Sequence, residues 1–209
     1  MNAIERSSQI TERLVAIYPD RRPLLVFESP YQLVIAVILS AQTTDAQVNV
    51  VTPGLFARFP TPGALAGAPQ REIEKIVHST GFYRTKARNI IAAAKAIHER
   101  FGDGVPELME DLTSIPGVGR KSANVVRGVV YGLPSIVVDT HLSRVTNRLG
   151  LVSESNPAKI EQLLRKVVPE DVQTDFSMGI NLHGRYCCSA RKPDCQGCVL
   201  RDLCPFDPT

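Results

Sequence analysis

The segment Ile115-Pro-Gly-Val-Gly119 restricts the fold most, because it is incompatible with the interior of a helix. Pro116 removes a backbone hydrogen-bond donor, and the two glycines favour positive φ or the close approach of another group. Residues 121–131, which follow it, repeat apolar side chains at the spacing of one helical face. The sequence therefore predicts a tight hairpin that leads into a helix N-terminus, where Arg120 and Lys121 lie.

This junction has the properties of an anion site, and the expected anion is a phosphate. The backbone N–H groups around Gly117 and Gly119 point outward at a helix N-terminus, and Arg120 adds positive charge. Lys121 has two interpretations that these residues support equally. It binds phosphate, or the helix macrodipole and Arg120 lower the pKa of its amine and make it a nucleophile for a carbonyl-like carbon.

Positive charge is concentrated near this hairpin, although the 209-residue chain has a formal net charge of only +3. Between residues 114 and 166, eight basic residues stand against three acidic ones. They are Arg120, Lys121, Arg127, Arg144, Arg148, Lys159, Arg165 and Lys166 against Asp139, Glu154 and Glu161. Such a segment is usually a solvated face, but one clustered on a phosphate-binding turn favours nucleic acid as the partner.

The cysteines indicate a metal centre near the C-terminus, because all five lie between residues 187 and 204. We expect a soluble, cytoplasmic protein with no membrane partner, since no apolar run approaches membrane-spanning or signal-peptide form. In that reducing compartment a cysteine cluster indicates metal ligation before disulfides. Cys188, Cys195, Cys198 and Cys204 are separated by six, two and five residues. Zinc usually shows two short pairs, and this unequal spacing fits a four-iron cluster at least as well.

The periodicity predicts an all-α fold of one large domain or two small ones. The segment 31–41 is apolar nearly all round, which predicts a buried helix, with a buried strand as the alternative. Almost nothing else in the chain alternates with period two, so we prefer the helix. Further helices are predicted at 5–18, 45–59, 62–66, 70–78, 84–101, 107–112, 140–149, 157–168 and 172–185.

Three exposed segments carry residues suited to nucleic acid. Gln42 could reach a base edge through its donor and acceptor, although a plain loop with Asp45 as helix N-cap is the more probable interpretation of those residues alone. Phe82, followed by basic residues, could wedge into a base stack or pack into the core. Arg191 and Lys192 lie between two cysteines, on a loop that would present them to phosphates.

Together these segments resemble the endonuclease III family of helix-hairpin-helix DNA glycosylases with an iron–sulfur cluster. The resemblance rests on 115–126, Val138-Asp-Thr-His141, Leu182-His-Gly-Arg-Tyr186 and the four spaced cysteines. It implies two helical lobes with a DNA-binding cleft between them, a continuous domain at 24–133 and a discontinuous one at 1–23 plus 134–209. It also implies a C-terminal [4Fe-4S] loop ligated by Cys188, Cys195, Cys198 and Cys204.

The resemblance implies a base-excision-repair enzyme that removes oxidised pyrimidines and nicks the strand. Lys121 would attack C1′, form a Schiff base and undergo β-elimination, with Asp139 stabilising positive charge on the sugar and helping to deprotonate the lysine. Gln42 would fill the gap left by the flipped base, and Phe82 would wedge against the opposite strand. Ser40 and Asp45 would lie near the lesion pocket. The expected partner is double-stranded DNA with damaged bases or abasic sites, bound by a monomer.

Two residues depart from the usual pattern of the family, and two other functions are alternatives to the one that the resemblance implies. Phe82 stands where a smaller aliphatic side chain is commoner, and Cys187 is an extra thiol that we take as a non-ligand. A glycosylase without lyase activity is the nearest alternative, but such enzymes lack the lysine. A non-catalytic DNA-binding or electron-transfer protein is the other, and the pair Lys121 and Asp139 counts against it.

Overall fold

The structure is a computed structural model that describes residues 2–20 and 23–207, and within these residues it contains helices and no strand. In chain order the α-helices are α1 Ala3–Ile17, α2 Pro30–Leu39, α3 Asp45–Arg58, α4 Pro62–Ala66, α5 Gln70–Val77, α6 Tyr83–Phe101, α7 Met109–Thr113, α8 Arg120–Tyr131, α9 Thr140–Arg148, α10 Pro157–Val167 and α11 Gln173–Tyr186. Short 3₁₀ segments cover His78–Thr80, Glu170–Val172 and Arg201–Leu203. The all-α prediction is confirmed.

The chain divides into two compact units, each with its own core. The continuous unit is Pro23–Tyr131, and the discontinuous unit joins Met1–Arg22 to Gly132–Thr209. The continuous unit therefore contains α2 to α8, and the discontinuous unit contains α1 and α9 to α11.

Helix α2 forms the centre of the continuous unit. Ser29 caps it by accepting a hydrogen bond from the Gln32 N–H, and Pro30 occupies its first turn. From Leu33 to Leu39 every side chain is buried, so the helix has no solvent face. This confirms the buried helix over the buried strand, and it explains why the segment is apolar without periodicity.

In the discontinuous unit, α11 packs between α1 and α9 through glycines. A Cβ on Gly179 would lie 3.0 Å from the Leu14 Cβ of α1, and one on Gly184 would lie 2.8 Å from the His141 Cβ of α9. Both distances are shorter than ordinary carbon contacts, so the two glycines let the helices approach closely. This packing places the residues of α9 and α11 that are described below beside each other.

Some observed helix ends differ from the predicted ones by one or two residues. Thr44 caps α3 by accepting a hydrogen bond from the Gln47 N–H, so Asp45 is the first helical residue and the predicted Asp45 cap is wrong. Helix α8 begins one residue early, at Arg120. No helix within the described part of the chain combines the length and the apolar character that crossing a membrane requires.

Candidate functional site

The hairpin before α8 is held by its own backbone and by the core. Val118 N–H donates to the Ile115 carbonyl at 3.0 Å, and both side chains are buried. Gly117 has a φ of 83°, and a Cβ there would meet Ile38 Cγ2 at 3.2 Å and Asn89 Cβ at 3.3 Å. Gly119 has no positive φ, and a Cβ there would meet nothing within 4 Å. The two glycines thus differ: Gly117 is required by the fold, while Gly119 leaves the backbone open to an outside group.

This difference predicts opposite outcomes for two matched substitutions. Gly117→Ala should lower the free energy of unfolding by about 1–3 kcal/mol, because it forces a left-handed conformation and a crowded Cβ. Gly119→Ala should change it by less than about 0.5 kcal/mol, since the added methyl enters open space. Urea titration of both variants measures these values, and equal losses would contradict the assignment.

Lys121 lies in the first turn of α8 and is exposed. The helix begins where the Ala123 N–H donates to the Gly119 carbonyl at 2.9 Å. Arg120 is also exposed, at the first position of the helix. The hairpin therefore presents a primary amine to solvent beside the open backbone of Gly119.

Gln42 and Phe82 are two of the three non-glycine residues with positive φ in the described part of the chain, and both lie on loops of the same unit. Gln42 has a φ of 55° and is exposed, and Phe82 has a φ of 48° with 66% of its surface exposed. The exposure of Phe82 excludes the interpretation in which it packs into the core. Ser40 ends α2, and its hydroxyl donates to the Val37 carbonyl at 2.8 Å. Strained backbone conformations of this kind cluster at binding sites.

The loop that carries Phe82 is supported by a buried cation. Lys86 is only 4% exposed, and its Nζ donates to the Thr80 carbonyl at 2.8 Å. Burial lowers the pKa of Lys86. Lys86 is one of the basic residues that follow Phe82 in the sequence, and its burial shows that it braces the turn rather than facing solvent. Gln47 Nε2 donates to Ser79 Oγ at 2.8 Å and ties this loop to α3.

The hairpin and both loops belong to neighbouring parts of the continuous unit. Gly117 packs beside Ile38, since a Cβ on the glycine would lie 3.2 Å from Ile38 Cγ2, and Ile38 is two residues before Ser40, the residue that follows α2. The glycine also packs beside Asn89, seven residues after Phe82 and thus roughly 10 Å along α6. The loop after α2 and the loop before α6 therefore flank the hairpin.

Asp139 occupies the N-cap of α9 in the discontinuous unit. Its Oδ1 accepts the Leu142 N–H at 2.8 Å, which is the hydrogen bond of an ordinary N-cap. Its Oδ2 accepts a hydrogen bond from the Asn181 amide of α11. Arg185 Nε in turn donates to Asn181 Oδ1 at 3.0 Å. Asn181 was not among the predicted site residues, because it lies 42 residues from Asp139 in the chain and only the packing of α11 on α9 brings the two together.

The C-terminal cysteines surround one cavity of about 370 Å³, part of it open to solvent. All five cysteines line it and all are free thiols, so the disulfide alternative is wrong. Among the described residues, no three of the four predicted ligand cysteines have sulfur atoms within 4.8 Å of one another. Four thiolates on one zinc would be about 3.8 Å apart, from Zn–S bonds of about 2.3 Å at tetrahedral angles. The donor set therefore fits a larger, multi-iron centre.

Cys187 directly precedes the predicted ligand Cys188 in the chain and is not itself one of the four predicted ligands. Its sulfur, the Cys198 sulfur and a His183 ring nitrogen lie within 4.8 Å of one another. The Cys187 thiol donates to the Asp194 carbonyl at 3.4 Å. His183 is buried, and its Nε2 is 3.4 Å from the Cys198 sulfur. His183 was not among the predicted site residues, and proximity in the fold alone identifies it.

Two arginines of α9 hold the start of the cysteine loop. Arg144 donates to the carbonyls of Cys188 and Gly184, and Arg148 Nη1 donates to the Cys188 sulfur at 3.2 Å. The sequence analysis counted both as part of the positive field near the hairpin. These hydrogen bonds hold both guanidinium groups against the cysteine loop, within the discontinuous unit.

A single backbone carbonyl, that of Cys187, joins the two ends of the loop at residues 189–194 by hydrogen bonds. The Cys187 carbonyl accepts from Ser189 N–H at 2.9 Å and from Asp194 N–H at 3.0 Å. Arg191 and Lys192 lie between these points and are exposed. The loop thus exposes two basic side chains between ends that are held together by hydrogen bonds.

Two protein-family models match the chain. The first, described as the HhH-GPD superfamily of base excision DNA repair proteins, matches residues 35–170. The second, the iron–sulfur binding domain of endonuclease III, matches residues 188–204, which begin at Cys188 and end at Cys204. The first match covers more than half of the chain.

Similar proteins give the same family. Endonuclease III of Synechocystis sp. is 46% identical over 202 residues, which are 96% of this chain and 92% of that protein. Endonuclease III of Escherichia coli (strain K12) is 41% identical over 206 residues, 99% of this chain and 97% of that protein. A solved structure of a trapped endonuclease III–DNA covalent intermediate matches with a TM-score of 0.91 at 38% identity, covering 98% of this chain and 97% of that chain. The chain therefore belongs to the endonuclease III family and is a DNA-binding base-excision DNA glycosylase with AP lyase activity that carries an iron–sulfur cluster.

Proposed function

We propose that this enzyme removes oxidised pyrimidines from double-stranded DNA and cleaves the strand at the resulting abasic site, with Lys121 as the nucleophile. The observation that carries the proposal is the exposed amine of Lys121 in the first turn of α8, beside the open backbone of Gly119. A related protein at 38% identity has been solved as a trapped covalent intermediate with DNA, which supports covalent chemistry in the family.

In the proposed reaction the Lys121 nitrogen forms a bond to C1′ while the bond from C1′ to the damaged base breaks and the base leaves. The sugar ring then opens to a Schiff base. Loss of a C2′ proton expels the 3′ phosphate and nicks the strand. Asp139 stabilises the positive charge that develops on the sugar and accepts a proton from the lysine amine.

The remaining site residues are proposed to bind and open the duplex. Gly117, Gly119 and Arg120 receive a backbone phosphate at the hairpin, where the backbone of Gly119 faces open space. Phe82 wedges into the stack from its exposed, braced turn, and Gln42 fills the position of the extruded base. Proposed DNA-contacting or pocket residues also include Arg191, Lys192, Ser40 and Asp45.

The cluster is proposed to be held by Cys188, Cys195, Cys198 and Cys204 as a [4Fe-4S] centre. When bound, it cross-links the loop that carries Arg191 and Lys192 and supplies a rigid base for phosphate contacts. We further propose that the enzyme acts as a monomer in the cytoplasm, and that 24–133 and 1–23 plus 134–209 are its domains.

Substrate preference tests the proposal directly. Duplexes that differ only in one base, thymine glycol, 8-oxoguanine or intact thymine, are incubated with enzyme in excess, and base release and strand nicking are followed separately. We expect release from the oxidised pyrimidine to be at least about tenfold faster than from the oxidised purine, because the latter needs a larger pocket. Equal rates for the two lesions, or base release that is never followed by a nick, would overturn the proposed function.

A further inference from the structure

Three side chains, those of Arg185, Asn181 and Asp139, are joined in series by hydrogen bonds. The donor and the acceptor of each bond can be assigned from the chemistry of the groups. Arg185 is a donor only, so the oxygen of the Asn181 amide must face its Nε, which lies 3.0 Å away. The NH₂ group of Asn181 therefore faces Asp139 Oδ2. An NH₂ group has no lone pair to offer, so this arrangement is built for a carboxylate rather than for a carboxylic acid.

The second carboxylate oxygen is also engaged. Asp139 Oδ1 accepts the Leu142 N–H at 2.8 Å, from the first turn of the helix that Asp139 caps. With one hydrogen bond on each oxygen, the plane of the carboxylate has a defined orientation. Each oxygen keeps a further lone pair for a reacting group.

The packing of α11 on α9 keeps Asn181 in place. Gly184 lies three residues after Asn181 and hence on the same face of α11. A side chain at Gly184 would begin 2.8 Å from the His141 Cβ, so the two helices are in contact there. Asn181 itself is half-buried at this contact. Its amide is therefore positioned by the helix pair rather than by solvent.

We propose that Asn181 is a positioning residue for catalysis, which holds the Asp139 carboxylate in its reactive orientation and is itself oriented by Arg185. The inference rests on the proposed function in assigning Asp139 a role in the chemistry. We assign Asn181 no direct contact with the nucleotide. Its effect passes entirely through Asp139.

Asn181→Asp is the sharpest variant, because it keeps the shape of the side chain and its contact with Arg185 while it replaces the donor facing Asp139 by an acceptor. We expect the single-turnover rate of Schiff-base formation on an abasic-site duplex, followed by borohydride trapping, to fall at least about tenfold. Asn181→Ala removes the same donor without adding charge and should give a similar loss. It decides the outcome if Asn181→Asp does not fold.

Asn147→Asp is the matched control. Asn147 is likewise a hydrogen-bonded asparagine of the discontinuous unit, and its amide donates to the carbonyls of Ser143 and Glu154 at 2.8 and 2.9 Å rather than to Asp139. This variant should lower the thermal stability and leave the trapping rate within about twofold of wild type. A purely structural role for Asn181 would make its variants behave like Asn147→Asp.

A double-mutant cycle separates the inference from the proposed function. In an Asp139→Asn background, Asn181→Asp should cause no further loss beyond about twofold, because the group through which it acts is gone. An undiminished loss in that background, or a normal rate for both single Asn181 variants, would overturn the role of Asn181 alone. A normal rate for Asp139→Asn by itself would instead overturn the proposed role of Asp139.

Discussion

Lys121→Ala should abolish the covalent adduct that borohydride traps between this enzyme and a duplex with an abasic site. The trapped species requires an imine between an amine and the sugar, and no imine forms at position 121 once the amine is removed. We expect the rate of strand cleavage to fall by about 10³-fold or more, with residual cleavage from other groups. Denaturing gel electrophoresis of the reduced mixture measures the adduct.

Two comparisons make this result specific. Lys95→Ala removes another exposed lysine of the continuous unit, whose ammonium lies 3.7 Å from the Glu99 carboxylate, and it should trap as efficiently as wild type. Lys121→Ala should keep its fold and its affinity for the duplex within a few-fold, since the side chain is exposed. An undiminished adduct in Lys121→Ala would remove the nucleophile assignment.

Cys198→Ser should cost the protein its iron. The purified wild type is expected to be brown, with about four iron and four sulfide per chain, as a four-iron cluster implies. A serine oxygen is a poor substitute for a thiolate on iron, so the variant should lose most of the iron and the associated visible absorbance. Iron and sulfide analysis together with the absorption spectrum gives the answer.

Cys187→Ser is the control for this substitution, because Cys187 lines the same cavity and lies near the Cys198 sulfur. It should retain the full iron content, as expected for a residue outside the match at 188–204. If Cys187→Ser loses iron and Cys198→Ser keeps it, the ligand set must be exchanged. Retention of iron by both variants would show that either thiol suffices.

Residues near one another in the chain were predictable. The hairpin at 115–119, the helix that follows it and the α9 cap at Asp139 depend on local rules, because proline, paired glycines and capping side chains act within one or two turns. The spacing of the four cysteines is equally local. It indicated a multi-iron centre, and the family comparison confirmed an iron–sulfur binding domain there.

Contacts across elements were not predictable in the same way. Lys86 was predicted only as one of the basic residues that follow Phe82, and the fold shows that its buried side chain donates to the Thr80 carbonyl. Arg144 and Arg148 stood in the sequence only as members of a basic segment, and the fold shows that they bind the cysteine loop. A basic side chain has several rotatable bonds, and the packing of other elements decides which partner it reaches.

The sequence by itself determined that the chain is all-α, that a tight glycine-containing turn precedes Lys121 at a helix N-terminus, and that the cysteines gather near the C-terminus. These features follow from residue type and short-range spacing, which do not change with the arrangement of the helices. Only the tertiary structure decided that Gly119 lies open while Gly117 is packed, and that Asn181 reaches Asp139. Those facts depend on which helices pack together. Asn181 and Asp139 are 42 residues apart in the chain, and no pattern within a single helix specifies a contact at that separation.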